Sequence, residues 1–229
     1  MSRRDELAER LSELEERLVQ ACAAAGRPRT AVRLVAVTKT WPVSDVMLLR
    51  DLGVRDVGEN RDAEAAGKAA QVPDLCWHFV GSVQSNKARS VASYADVVHS
   101  VDRVRLVSAL ADGARRAGRS VEVFVQVSLD SDPNRAGVPP EGVPAVADAV
   151  ATAQGLVLGG VMAVAPQDQD PARAFALLAT VAGALQRDHP QARAVSAGMS
   201  GDLEPAVLAG ATLVRVGTAL LGPRPALLG

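Results

Sequence analysis

Arg33-Leu34-Val35-Ala36-Val37-Thr38-Lys39 leads through Pro42, Ser44-Asp45 and Gly53 to Asp56-Val57-Gly58, and this stretch decides the fold. Arg33 to Val37 is a short aliphatic run of the kind that forms a buried strand. Pro42 and Ser44-Asp45 open a helix that continues through about Asp51, and Gly53 stops it. Asp56-Val57-Gly58 then starts a second strand. Such a strand–helix–strand unit predicts parallel pairing through a right-handed crossover.

Working outward, the same alternation continues. Further strands are predicted near Trp77-His78-Phe79-Val80, Val97 to Ser100, Glu122 to Ser128, Leu156 to Val164, Ala194-Val195-Ser196 and Leu213 to Val216. Helices are predicted over Arg61 to Ala70, Gln84 to Ser93, Arg103 to Ala117, Val143 to Ala153, Pro171 to Arg187 and Leu203 to Ala209. A first helix carries Leu7, Leu11, Leu14 and Leu18 at helical spacing and is the candidate partner of the last strand. Eight such repeats predict an α/β fold, a (β/α)8 TIM-type barrel. No GxGxxG follows the first strand, which argues against an open dinucleotide-binding sheet. No linker or composition break divides the chain, so residues 1–229 are expected to form one domain, with Ser128 to Pro140 as a long loop.

Composition narrows the function classes. Hydrophobic residues make up 48% and aromatics 3%, so the core must be built from Ala, Val and Leu packed on buried parallel strands. A formal charge of -1 gives no electrostatic footprint for nucleic acid or an anionic membrane. Cys22 and Cys76 are too few for a disulfide framework. The charged start at Met1-Ser2-Arg3-Arg4 does not read as a signal peptide. No apolar run reaches the roughly 20 residues that span a bilayer. A soluble, cytoplasmic protein is expected.

Chemistry in such barrels gathers at the C-terminal ends of the strands, with phosphate held after strands seven and eight. Of 25 basic residues only Lys39, Lys68 and Lys87 are lysines, and only lysine can form an imine. Lys39 follows the first strand, where an apolar barrel mouth would lower its pKa; an ordinary rim lysine is the other reading. After strand seven, Ser196-Ala197-Gly198-Met199-Ser200-Gly201-Asp202 offers hydroxyls and close backbone approach to a phosphate, or a plain turn capped by Asp202. Arg215 lies inside the apolar eighth strand, before Gly217-Thr218, and needs either a carboxylate or a ligand acceptor. His78, among bulky apolar residues, reads as a core histidine more readily than a catalytic one. His78, His99 and His189 are scattered and show no metal-ligand spacing, and no Gly-x-Ser-x-Gly elbow is present.

Taken in order, several short motifs resemble the pyridoxal phosphate homeostasis protein family along nearly the whole chain. They are Ala36-Val37-Thr38-Lys39, Gly58-Glu59-Asn60, Trp77 to Gly81 with Gln84-Ser85-Asn86-Lys87, and His99-Ser100-Val101-Asp102. Gly160-Val161-Met162, Ser196 to Ser200 and Val214-Arg215-Val216-Gly217 complete the set. Arg61, Ser82-Val83 and Ala197 depart from the family's usual residues. The resemblance implies the fold of the alanine racemase N-terminal domain and pyridoxal 5′-phosphate (PLP) as cofactor. It implies a Schiff base on Lys39, Arg215 facing the pyridine nitrogen, and Ser196, Ser200, Gly217 and Thr218 around the phosphate, with Asn60 and Met162 lining the pocket. No metal site is expected.

The function so implied is non-catalytic PLP binding and homeostasis, with PLP-dependent apoenzymes as recipients and a monomer as the expected state. The alternatives are a PLP-dependent amino-acid racemase and an aldolase-like barrel with an imine to a sugar phosphate. Racemisation needs a second base opposite the lysine. Tyr94, the only tyrosine, is predicted to end a helix away from the strand ends, and the chain stops at Gly229 without the added β-domain of the racemases.

Overall fold

The run Arg33–Val37 forms β1, which pairs in parallel with β2 (Asp56–Glu59) on one side and β8 (Leu213–Val216) on the other. Between them lie β3 (Cys76–Phe79), β4 (Val97–Val101), β5 (Val121–Gln126), β6 (Leu156–Met162) and β7 (Ala194–Ser196). Neighbours in sequence are neighbours in space all the way round, so the strands close into a parallel (β/α)8 barrel of the TIM type. This is a computed structural model, and it describes residues 1–130 and 135–223.

Helices cover the barrel from outside: α1 (Arg3–Ala24), α2 (Val43–Asp51), α3 (Asp62–Gln71), α4 (Ala88–Tyr94) and α5 (Val104–Ala117). They continue with α6 (Val143–Thr152), α7 (Pro171–Asp188), α8 (Leu203–Leu208) and α9 (Thr218–Leu221). A capping box starts α1: the Ser2 hydroxyl accepts from Asp5 N, and Ser2 N donates to the Asp5 carboxylate. Leu7, Leu14 and Leu18 of α1 share one core cluster with Leu203, Val207, Val214, Leu220 and Leu221, and α1 packs against α8 and α9, the helices on either side of the eighth strand in sequence. Small Ala and Val side chains fill the layer between strands and helices, as the scarcity of aromatics requires. Val35, Val97, Phe124, Met162 and Leu213 form a separate cluster contributed by β1, β4, β5, β6 and β8.

Several predicted boundaries move and one helix is added. Gln84 to Lys87 is a turn closed by Lys87 N to Gln84 O at 2.8 Å, which delays α4 to Ala88. Strand β6 ends at Met162 rather than Val164. The four-residue α9 after Gly217 was not predicted; it is too short for a periodic signal. The predicted loop over 128–140 lies partly outside the described residues. Among the described residues, no helix is long and apolar enough to cross a membrane.

Candidate functional site

A cavity of about 560 Å3 opens where the strands end. Its wall is assembled from successive strand ends: Lys39 after β1, Asn60 after β2, Gly81 and Ser82 after β3, and Gln126 and Met162 closing β5 and β6. Ser200 comes from the loop after β7, and Arg215, Gly217 and Thr218 from the end of β8. Seven of the eight predicted site residues thus share one cavity. Ser196, the eighth, is fully buried and accepts a hydrogen bond from Arg215.

The position of Lys39 is held by a polar cluster below it. Thr38 Oγ1 donates to Glu59 Oε1 at 2.6 Å, and Lys68 Nζ donates to Glu59 Oε1, Glu64 Oε1 and the Thr38 carbonyl at 2.6, 2.7 and 2.9 Å. Thr40 has a φ of 70°, a left-handed conformation that is costly for a β-branched residue. Its backbone N–H is held there by Glu64 Oε1 at 2.7 Å. Both neighbours of Lys39 are therefore pinned to the same acidic pair. Burial pushes the Glu59 carboxyl up, against the opposing pull of Lys68 and Thr38.

Burial sorts the three lysines. Lys68 is 6% exposed and engaged by two carboxylates, whereas Lys87 lies half in solvent, 3.9 Å from Asp62. Lys39, partly buried, is the one lysine among the described residues that lines the cavity. The Glu64–Lys68 spacing is a helical i,i+4 pair that sequence could have revealed; Glu59 belongs to a strand and only the fold brings it there.

At the other end, the Ser200 hydroxyl accepts from Ala219 N at 3.2 Å and ties the β7 loop to α9. Arg17 of α1 braces that loop through the Ser200 carbonyl (3.0 Å) and Glu204 (2.9 Å). Asp202 stands at the N-cap position of α8, but its carboxylate accepts from Met199 N at 2.5 Å instead of from a helix N–H. Gly217 approaches β1 so closely that an added Cβ would meet the Val37 carbonyl oxygen at 3.3 Å.

Arg215 is 5% exposed. Its Nη1 donates to Ser196 Oγ at 2.5 Å and its Nη2 to the Ala163 carbonyl at 2.9 Å. No carboxylate pairs with it among the described residues, and burial lowers its pKa to about 10, Asp202 acting in the opposite direction. Of the two partners the sequence left open, the carboxylate is not found among the described residues. Asn60 Oδ1 is likewise a buried acceptor without a hydrogen-bond partner.

The histidines sit differently from their scattered sequence positions. His78 and His99 are 2.8 Å apart, Nδ1 to Nε2, and neither lines the cavity. His78 Nε2 lies 2.9 Å from Asp56 Oδ1, so both of its ring nitrogens are engaged. Asp56, Cys76 and His78 place ligand-type atoms within 4.8 Å of one another, but the Arg33 guanidinium hydrogen-bonds Asp56 and opposes a second cation there. Burial and the nearby Asp56 and Asp96 push the Cys76 thiol up to about 12. Tyr94 ends α4 and is not part of the cavity wall.

The sequence profile of the alanine racemase N-terminal domain matches residues 10–225. The chain is 43% identical to the pyridoxal phosphate homeostasis protein of Mycobacterium tuberculosis over 243 aligned positions, covering 97% of this chain and 94% of the relative. It is 39% identical to the protein of the same name from Pseudomonas aeruginosa, covering 95% and 96%. Among solved structures, PipY of Synechococcus elongatus, determined with PLP bound, superposes with a TM-score of 0.82 at 37% identity over 94% of this chain and 100% of that one. The chain belongs to the pyridoxal phosphate homeostasis protein family, built on the alanine racemase N-terminal domain barrel.

Proposed function

We propose that this protein binds PLP at the barrel mouth through a Schiff base on Lys39 and serves intracellular PLP homeostasis. The observation that carries this reading is one cavity holding both a lysine amine and a buried arginine with no carboxylate partner among the described residues. The residues present fit the cofactor: the cavity is of cofactor size, roughly 300–1,000 Å3, and the buried Asn60 Oδ1 awaits a donor. Naming of the relatives and the PLP bound to PipY support the same reading.

Bound there, PLP supplies an aldehyde carbon and a ring that accepts electron density. The chain supplies the rest. Lys39 offers the amine, and the pinned Thr38 and Thr40 fix where it points from. Ser200, Thr218 and the backbone at Gly217 can donate to the phosphate, each such bond contributing roughly 1.5–3 kcal/mol. Arg215, protonated at neutral pH, has only donors to offer the ring nitrogen and keeps it unprotonated. An unprotonated ring is a weaker electron sink than a pyridinium, which suits holding the cofactor more than carbanion chemistry. Tyr94 and His78 both lie outside the cavity wall, so neither stands ready as a racemase's second base. In this reading residues 1–229 act as one unit that stores the cofactor and hands it to dependent apoenzymes.

The visible spectrum of the purified protein with PLP, before and after borohydride reduction and peptide mapping, tests this. Reduction should fix the cofactor on Lys39, and Lys39→Ala should lose the imine absorbance, with Lys39→Arg no better. Fixation on Lys68 or Lys87 instead, or a wild-type protein that takes up no PLP, overturns the assignment. Conversion of L-alanine to its D-isomer, lost in Lys39→Ala, would replace homeostasis with racemisation.

A further inference from the structure

A continuous file of hydrogen-bonded side chains runs through the barrel interior from Arg215 to the opposite rim. Arg215 Nη1 reaches Ser196 Oγ at 2.5 Å, and Ser196 Oγ lies 2.8 Å from His99 Nδ1. His99 Nε2 lies 2.8 Å from His78 Nδ1, and His78 Nε2 lies 2.9 Å from Asp56 Oδ1. Ser196, His99 and His78 are each no more than 1% exposed. Asp56 opens β2 beside Arg33, which opens β1, so the file ends at the strand starts, away from the cavity.

With one proton on each imidazole, the two ends dictate the direction of every bond between them. A guanidinium only donates and a carboxylate only accepts. Asp56 therefore takes the proton-bearing Nε2 of His78, which leaves His78 Nδ1 bare to accept from His99 Nε2–H. His99 Nδ1 is then bare and accepts the Ser196 hydroxyl proton, and the Ser196 oxygen accepts from Arg215. In this arrangement each imidazole carries its proton on Nε2, and every ring nitrogen is satisfied. Burial, the largest cause, with the Arg215 and Arg33 guanidinium charges acting in the same direction, holds His99 well below the ordinary imidazole range. Against burial, the hydrogen bonds from His78 and Arg33 hold Asp56 below the usual carboxylate range.

We infer that Asp56, His78, His99 and Ser196 are positioning residues that aim Arg215 and set the proton affinity of the ring nitrogen it faces. The inference rests on the proposed PLP site, because Arg215 must meet that nitrogen. Asp56 supplies the carboxylate that Arg215 lacks at contact distance among the described residues, relayed through polarised bonds in a low-dielectric interior. Asp56→Asn removes the obligate acceptor: the carboxamide can donate to His78, and both imidazoles can then reverse. Arg215 would lose its fixed, fully polarised partner while every cavity-lining side chain stays in place.

The test uses nitrogen-15 NMR. In the labelled wild-type apoprotein, His78 and His99 should both be neutral Nε2–H tautomers at neutral pH. With ring-labelled PLP bound, Asp56→Asn and His99→Gln should each shift the pyridine nitrogen resonance and weaken PLP roughly three- to thirtyfold. Ser196→Ala should act in the same direction. A charged or Nδ1–H His99 in the wild type overturns the inference, and so does a pyridine resonance unmoved in both folded variants while stability falls. If the wild type binds no PLP, the proposed function fails, and the apoprotein tautomers still decide the direction of the file. A variant that does not fold leaves the decision to those same wild-type tautomers and to Asp56→Asn at the rim.

Discussion

Lys68 and Lys39 carry the same chemical group and differ only in what surrounds it. The Lys68 ammonium is enclosed by Glu59, Glu64 and the Thr38 carbonyl, so its role is to hold the segment from which Lys39 projects. Removing one member of a buried ion pair strands the other charge, which costs roughly 3–5 kcal/mol. Lys68→Met is therefore expected to lower stability by about that amount in urea unfolding and to weaken PLP binding, since Thr38 and Thr40 lose their common anchor. Adding Glu59→Gln should recover part of the stability, because the stranded carboxylate is then neutral. At this scale sequence reading placed Lys39 at a strand end and left a rim lysine as the other possibility. What it could not supply was the contrast with Lys68, because Glu59 and Lys68 meet only when β2 and α3 pack.

Among the elements, the predicted order of strands and helices matches the closed barrel, because aliphatic runs and turn residues are local signals. The departures occur where pairing between strands sets the geometry. The register of β5 against β6 shifts between Val123 and Phe124, and Gly159-Gly160 absorbs the extra residue. Gly160 has a φ of 154°, and a Cβ there would collide with the Ala194 carbonyl oxygen of β7. Gly160→Ala should cost roughly 2–4 kcal/mol through backbone strain and loss of the β6–β7 pairing. Because Met162 lies two residues further on at the cavity, PLP affinity should fall as well. Denaturant midpoints and a PLP titration of the variant check both. An Ala variant of wild-type stability would show that the strand relaxes without loss. The sequence marks Gly160-Val161-Met162 as a motif, yet the reason for glycine appears only once β7 is laid beside it.

For the molecule as a whole, a buried neutral histidine couples stability to pH. His99 stays neutral when folded, whereas in the unfolded chain it takes up a proton near its ordinary pKa of 6.5. Below that pH the unfolded state binds more protons, so its contribution to stability is full at higher pH and falls by about 1 kcal/mol per unit as the solution is acidified. Urea unfolding at about pH 7.5 and pH 5.5 should show a larger acid loss in the wild type than in His99→Gln, whose side chain does not titrate. Equal losses would assign the acid sensitivity to other groups. Sequence by itself determined the barrel and the strand ends that carry Lys39, Asn60, Ser200, Arg215 and Thr218, because periodicity and strand-end position are properties of neighbouring residues. Tertiary structure alone decided that Arg215 has no contacting carboxylate among the described residues, that Lys68 is structural, and that His78 and His99 are linked. Those facts depend on which side chains from distant strands share the barrel interior, where low dielectric makes an unpaired polar group costly, and no local pattern encodes that meeting.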